Sequence, residues 1–158
     1  MTDHESIAAL VYGYAERIDA GDFDGLARLF THGGYGMAGG PGLRGAAAVR
    51  AALDIVKLHD GIPRTKHVTT NLVVECDEAK GVATARSYFT VLQATNALPL
   101  QVILAGRYHD RFALLDGAWR FTERVIHVDL VGEIAEHLRG GHLPGSGSPP
   151  STVPEPAR

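Results

Sequence analysis

The spacing of apolar residues changes once along this chain, and that change restricts the fold more than any other feature. As far as Leu58 they recur at helical intervals, and from Thr65 onward they alternate as in strands. Ile7, Leu10, Val11, Tyr14 and Ile18 share one helical face. Thr2 and Glu5 are spaced as a capping box and Gly21 is placed to end the helix, so a first helix is predicted over 3–20. Asp22 can cap a short second helix carrying Phe23, Leu26, Leu29 and Phe30. The glycine-rich stretch 33–45 encloses a short apolar run, YGMA, and reads as a brief strand followed by a loop fit to border a pocket. An Ala-rich third helix follows, closing near Leu58, with Val49, Ala52, Leu53 and Val56 on one face.

Four long extended segments come next, the last two joined by an Asp116-Gly117 turn, and together they predict an antiparallel meander without internal repeats. Helices gathered ahead of such a sheet define an α+β fold in which they cover its concave face. A strongly curved sheet capped in this way leaves a cone, and a cone not filled by side chains is a pocket for a small molecule. The domain is expected to span 1–139. Residues 140–158 are rich in glycine and proline and are expected to form a disordered tail, so that a chain ending at Arg139 keeps its melting temperature.

Composition then excludes several classes of function. A chain of 158 residues buries a sufficient core without staples, and with Cys76 its only cysteine it forms no internal disulfide and no multi-cysteine metal site. Fifteen Lys and Arg against eighteen Asp and Glu, with no cationic block, argue against nucleic-acid binding. No apolar run approaches the roughly 20 residues of a spanning helix. The first residues, MTDHES, lack the marks of a signal peptide, so a soluble cytoplasmic protein is expected. Eight histidines form no compact ligand motif, so no metal is expected, and His137 and His142 read as an exposed pair at the start of the tail. Neither a phosphate-binding glycine loop nor a GxSxG elbow is present, and no cofactor is expected.

The residues fit for chemistry lie on helix one and the strands. Asp19 is one residue beyond Ile18, at the edge of the face that carries Tyr14, where a carboxylate is either half-buried or simply a solvated helix-end charge. His67 alternates with Thr69, Asn71 and Val73. That row lines a cavity, or it faces solvent while Val68, Leu72 and Val74 fill the core; strand parity leaves both open. In the next strand Ser87, Phe89, Val91 and Gln93 share a face. Leu104, Gly106 and Tyr108 point inward if the Arg107, His109 and Arg111 set faces out. The last strand has no clean face, which fits a pocket wall or a subunit contact.

YAERIDAGDFDGLARLF, the glycine loop, the Ala-rich helix, KHVTTN and GAWRFTERVIHVD, in that order over 5–138, resemble the SnoaL-like branch of the nuclear transport factor 2-like superfamily. The resemblance implies a cone-shaped α+β barrel, commonly dimeric through its sheet, with an apolar interior. Within that superfamily the sequence is similar to scytalone dehydratase-like proteins, in which a helix-end Asp and a strand His form an acid–base pair and tyrosines polarise the substrate carbonyl. Asp19 and His67 match that pair. Ile18, Gln93, Gly106 and Tyr108 stand where the dehydratase has Tyr, His, Ser and Asn.

Proton abstraction next to a carbonyl needs a base, a group that orients it and a donor for the developing enolate. His67, Asp19, and Tyr14 or Tyr108 are the candidates for these roles, with Ile18, Phe89, Asn71 and Gln93 as candidate substrate contacts. The expected function is a cofactor-independent dehydratase, isomerase or cyclase acting on a small hydrophobic or aromatic carbonyl compound, in polyketide or aromatic metabolism, from a homodimer. The alternative is a non-catalytic binding module or an assembly subunit resembling the small subunit of an aromatic-ring dioxygenase. Asp19 within hydrogen-bond reach of His67 beside an open cavity favours the enzyme, and a cone packed shut favours assembly.

Overall fold

Thr2 and Glu5 exchange both hydrogen bonds of a capping box, and Gly21, at φ 74°, turns the chain out of the far end of helix α1, Asp3–Ala20. The computed structural model describes residues 1–144. Asp22 accepts a hydrogen bond from the Gly25 amide and caps α2, Phe23–Arg28. The glycine-rich stretch forms two short strands, β1 (Gly34–Met37) and β2 (Leu43–Arg44), with the pocket-facing loop between them. Helix α3 covers only Ala46–Ala52 and continues as a 3-10 turn, Leu53–Ile55. The predicted extension to Leu58 fails because the chain after Ile55 finds other partners: Val56 bridges to Leu138, and the Lys57 amide donates to the His137 carbonyl.

Strands β3 (Thr65–Asp77), β4 (Val82–Gln93), β5 (Gln101–Leu115) and β6 (Ala118–Val131) form the meander. β1 adds to it in parallel beside β6, giving one six-stranded sheet of order β2-β1-β6-β5-β4-β3. Asp116 and Gly117, both at positive φ, make the two-residue turn between β5 and β6. The fold is thus the expected α+β type, a curved open sheet with the N-terminal helices against it, and α1 packs on β3.

The ladder is interrupted where strands carry extra residues, in β3 between Thr70 and Val73, in β5 at Ile103, and in β6 at Thr122 and Asp129. Each bulge bends its strand and reverses which parity faces inward. On β3 both readings of the pattern therefore hold in part: Thr65, His67 and Thr69 face inward before the bulge, and Leu72 and Val74 after it. Asn71 sits in the bulge at φ 54°, exposed. On β6 the inward set changes from Trp119 and Phe121 to Arg124, Ile126 and Val128, which is why no clean face was readable.

Phe30, Phe112 and Phe121 pack on one another and fill the sheet end nearest the β5–β6 turn, whereas the space beyond Phe89 and Tyr108 stays open. The chain after β6 returns along the 3-10 turn and the residues that follow it, where the Arg139 amide donates to the Ile55 carbonyl and Leu138 bridges to Val56. Of the expected tail, Leu143 packs against the core, Leu143 and Pro144 line the open space, and 145–158 lie outside the described residues.

Candidate functional site

Asp19 is the penultimate residue of α1, and its side chain meets the start of β3. His67 donates from Nδ1 to its Oδ1 at 2.6 Å, the His67 amide donates to Oδ2 at 2.8 Å, and Thr65 Oγ1 donates to Oδ1 at 2.8 Å. The side chains of His67 and Asp19 are only 6% and 10% exposed. Burial pushes the Asp19 carboxyl up, but the hydrogen bonds and charge of His67, with help from Thr65, outweigh it and hold the carboxyl below its ordinary value. A carboxylate only accepts hydrogen bonds, so the neutral His67 ring carries its proton on Nδ1 and leaves the Nε2 lone pair free.

His67 stands on the wall of a cavity of about 400 Å³. Most of the wall is apolar, built from the β1–β2 loop, the end of α3, inward strand residues and the chain after β6. Its polar side chains are Tyr14, Tyr35, His67, Tyr108 and His137. Of the predicted site residues, His67, Tyr14, Tyr108, Phe89 and Ile18 line the cavity, and Asp19 stands behind His67.

Two predicted contacts do not reach it. Asn71 is turned outward by the β3 bulge. Gln93 is 1% exposed but is bound to backbone, its Nε2 donating to the Pro63 carbonyl at 3.0 Å and the Glu136 carbonyl at 3.2 Å. It ties β4 to the C-terminal segment. The exposed His137–His142 pair is also overturned, since His137 is 4% exposed on the cavity wall while His142 lies at the surface.

The tyrosines are held as a group. Tyr14 and Tyr35 share a hydrogen bond between their hydroxyls at 2.9 Å, and Phe89 stacks on Tyr108 with ring centroids 4.5 Å apart. That stack depends on Gly106, where a Cβ would stand 2.0 Å from the His127 carbonyl oxygen and 2.8 Å from the Phe89 ring. Burial pushes the hydroxyls of Tyr14, Tyr35 and Tyr108 above their ordinary range, with Arg124 only partly opposing it, so all three stay protonated.

Arg124 lies beneath these rings, its guanidinium 4.3 Å from the Tyr14 centroid and 3.9 Å from that of Tyr108. It makes a two-pronged ion pair with Asp110, at 2.8 and 2.7 Å, and neither side chain reaches solvent. Sequence reasoning missed Arg124, Asp110, Tyr35 and His137. The mixed parity of β6 hinted at Arg124, Asp110 shares the parity of Gly106 and Tyr108 on β5, and nothing local marks Tyr35, which becomes Arg124's neighbour through the parallel β1–β6 pairing. Among the described residues no group of three or more His, Cys, Asp or Glu is placed to hold a metal ion.

The fold recurs in known proteins. A family model described as a SnoaL-like domain matches residues 1–125. Rv3472 from Mycobacterium tuberculosis, a protein of unknown function, is 32% identical, with 82% of this chain and 73% of that one covered at a TM-score of 0.67. A candidate scytalone dehydratase from Novosphingobium aromaticivorans shares the fold at 23% identity, covering 92% of this chain and 95% of its own, with a TM-score of 0.67. The beta subunit of a candidate aromatic-ring-hydroxylating dioxygenase from the same organism shares it at 19% identity, covering 80% and 89%, with a TM-score of 0.65. No curated protein matches the sequence. With helices, curved sheet and open cone in the order its residues predict, and with a family model covering most of its length, the chain belongs to the SnoaL-like domain family of the nuclear transport factor 2-like fold.

Proposed function

We propose that the protein is a cofactor-independent acid–base enzyme that dehydrates, isomerises or cyclises a small hydrophobic or aromatic carbonyl compound. The observation that carries this reading is the orientation of His67, whose Nδ1 is locked on Asp19 while its ring stands on the wall of an apolar cavity. Nε2 takes a proton from the carbon next to the carbonyl, and Asp19 stabilises the imidazolium that results. Charge developing on the carbonyl oxygen falls to the protonated hydroxyls of Tyr14, Tyr35 or Tyr108. The imidazolium then returns the proton, to a leaving hydroxyl in a dehydration or to another carbon in an isomerisation. A subunit serving assembly alone has no need of 400 Å³ of open interior.

The reading includes a homodimer through the outer face of the sheet. There Val68, Thr90, Ala105 and Leu130 stand side by side across four strands, and Val68 and Leu130 are exposed. A monomer mass by light scattering at micromolar concentration would count against it. The chemistry is tested by exchange, with a panel of cyclic and aryl ketones incubated in deuterated water and followed by proton NMR. Deuterium should enter next to the carbonyl of at least one bound ketone with the native protein and not with His67→Ala. Exchange no faster than buffer for every ketone that binds would overturn the reading.

A further inference from the structure

His137 lies beyond the residues matched by the family model, on a segment that this chain clips along the cavity. The His137 carbonyl accepts from the Lys57 amide at 2.8 Å, and the Arg139 amide donates to the Ile55 carbonyl at 2.8 Å. Lys57 Nζ donates to the Ala135 carbonyl at 2.6 Å and His59 Nε2 to the Glu136 carbonyl at 2.7 Å. So fixed, the segment holds a 4% exposed imidazole on the cavity wall, its ring centroid 6.3 Å from that of His67.

The nitrogens of that ring are used unequally. Nδ1 is sealed in protein with no hydrogen-bond partner among the described residues, which leaves Nε2 as the nitrogen open to a ligand. A sealed lone pair is tolerated better than a sealed N–H, so the favoured tautomer carries its proton on Nε2. Burial, followed by the charge of His67, pushes His137 down to about 4, with Asp19 opposing and His59 adding to the effect. It therefore stays neutral at pH 7, and it keeps a second cation away from the His67 imidazolium.

We propose that His137 is a substrate-contacting residue and that it and His67 together bind a hydroxyl group of the ligand. The hydroxyl donates to the bare Nε2 of His67 and accepts from the Nε2–H of His137. Two hydrogen bonds of about 2.8 Å through one shared oxygen span a gap of the order seen between the rings. The ligand class narrows to compounds that carry an alcohol or phenol on the apolar body. This rests on the cavity being the binding site of the proposed function, and His137 adds a hydroxyl contact that Asp19 and the tyrosines do not supply.

The probes are 2-naphthol and 2-methylnaphthalene, which differ by a hydroxyl in place of a methyl. The full chain should bind 2-naphthol about thirtyfold tighter, the value of two net buried hydrogen bonds. His137→Phe, which keeps an aromatic ring in the segment and leaves the hydrogen bond to His67, should lower that preference to about fivefold and leave 2-methylnaphthalene binding unchanged. In the unmutated protein, saturation with 2-naphthol should shift the His137 Nε2 resonance in nitrogen-15 NMR, a readout independent of how the variant folds. A preference undiminished in folded His137→Phe, or a His137 resonance that 2-naphthol does not move, overturns the assignment. Binding of neither compound overturns the cavity as a site altogether, so the two failures are told apart.

Discussion

Asp19 grips His67 twice, taking the ring Nδ1–H on one oxygen at 2.6 Å and the backbone amide on the other at 2.8 Å. Strand position and ring orientation are thereby set by a single carboxylate. The end of α1, fixed by Gly21 at φ 74°, decides where that carboxylate stands.

The pair should therefore fail as a unit. His67→Ala and Asp19→Asn should each lower turnover by about 10²–10⁴-fold, the range of lost acid–base catalysis, with the double variant little worse than either single one. Single-turnover rates on an identified substrate check this. Multiplying losses in the double variant would show two independent roles.

His137 sets a pH dependence whose sign follows from its depressed pKa. In the unfolded chain it takes a proton near pH 6.5, whereas in the fold it refuses one until about 4. Its contribution to stability is present above 6.5 and is lost as pH falls through that window, on the order of 3 kcal/mol in all. Urea unfolding at pH 7 and pH 4.5 should show the native protein losing ground against His137→Phe, in which this proton uptake is absent. A stability difference that does not change with pH would sink the argument.

Breaking the buried pair of Arg124 and Asp110 from one side leaves the other charge unpaired in the core. Asp110→Ala or Arg124→Met should each cost about 3–5 kcal/mol, while the apolar double replacement Arg124→Met with Asp110→Leu should recover most of it. Urea midpoints with unchanged m-values decide the matter. A double variant as unstable as the sum of the two would mean that the guanidinium's contacts with Tyr14 and Tyr108, at 4.3 and 3.9 Å, matter more than the pairing.

The boundary of the domain should fall after Pro144 and not after Arg139, because Leu143 packs on the core. A chain ending at Pro144 should melt with the full chain. One ending at Arg139 should lose on the order of 1 kcal/mol, a few degrees, from the apolar area uncovered. Differential scanning calorimetry on the three chains is sufficient, and equal melting temperatures for all three would restore the earlier boundary.

The family resemblance singled out Asp19 and His67, which pattern alone left open, while periodicity determined the helix-then-sheet order and residue types the caps at Thr2 and Asp22 and the turn at Asp116-Gly117. These are local properties: a cap, a turn or an amphipathic face is written within a few residues, and the chain read there is the chain that folds. The bulges were not legible, since one extra residue in β3 or β6 leaves the pattern nearly intact while reversing every side chain beyond it. That reversal turned Asn71 out and Arg124 in. Tyr35 beside Arg124, Gln93 tied to backbone, and His137 folded back toward His67 depend on pairings between segments distant in sequence. Tertiary structure decided those positions, because which group a buried polar side chain meets is a property of the packed fold and not of its neighbours along the chain.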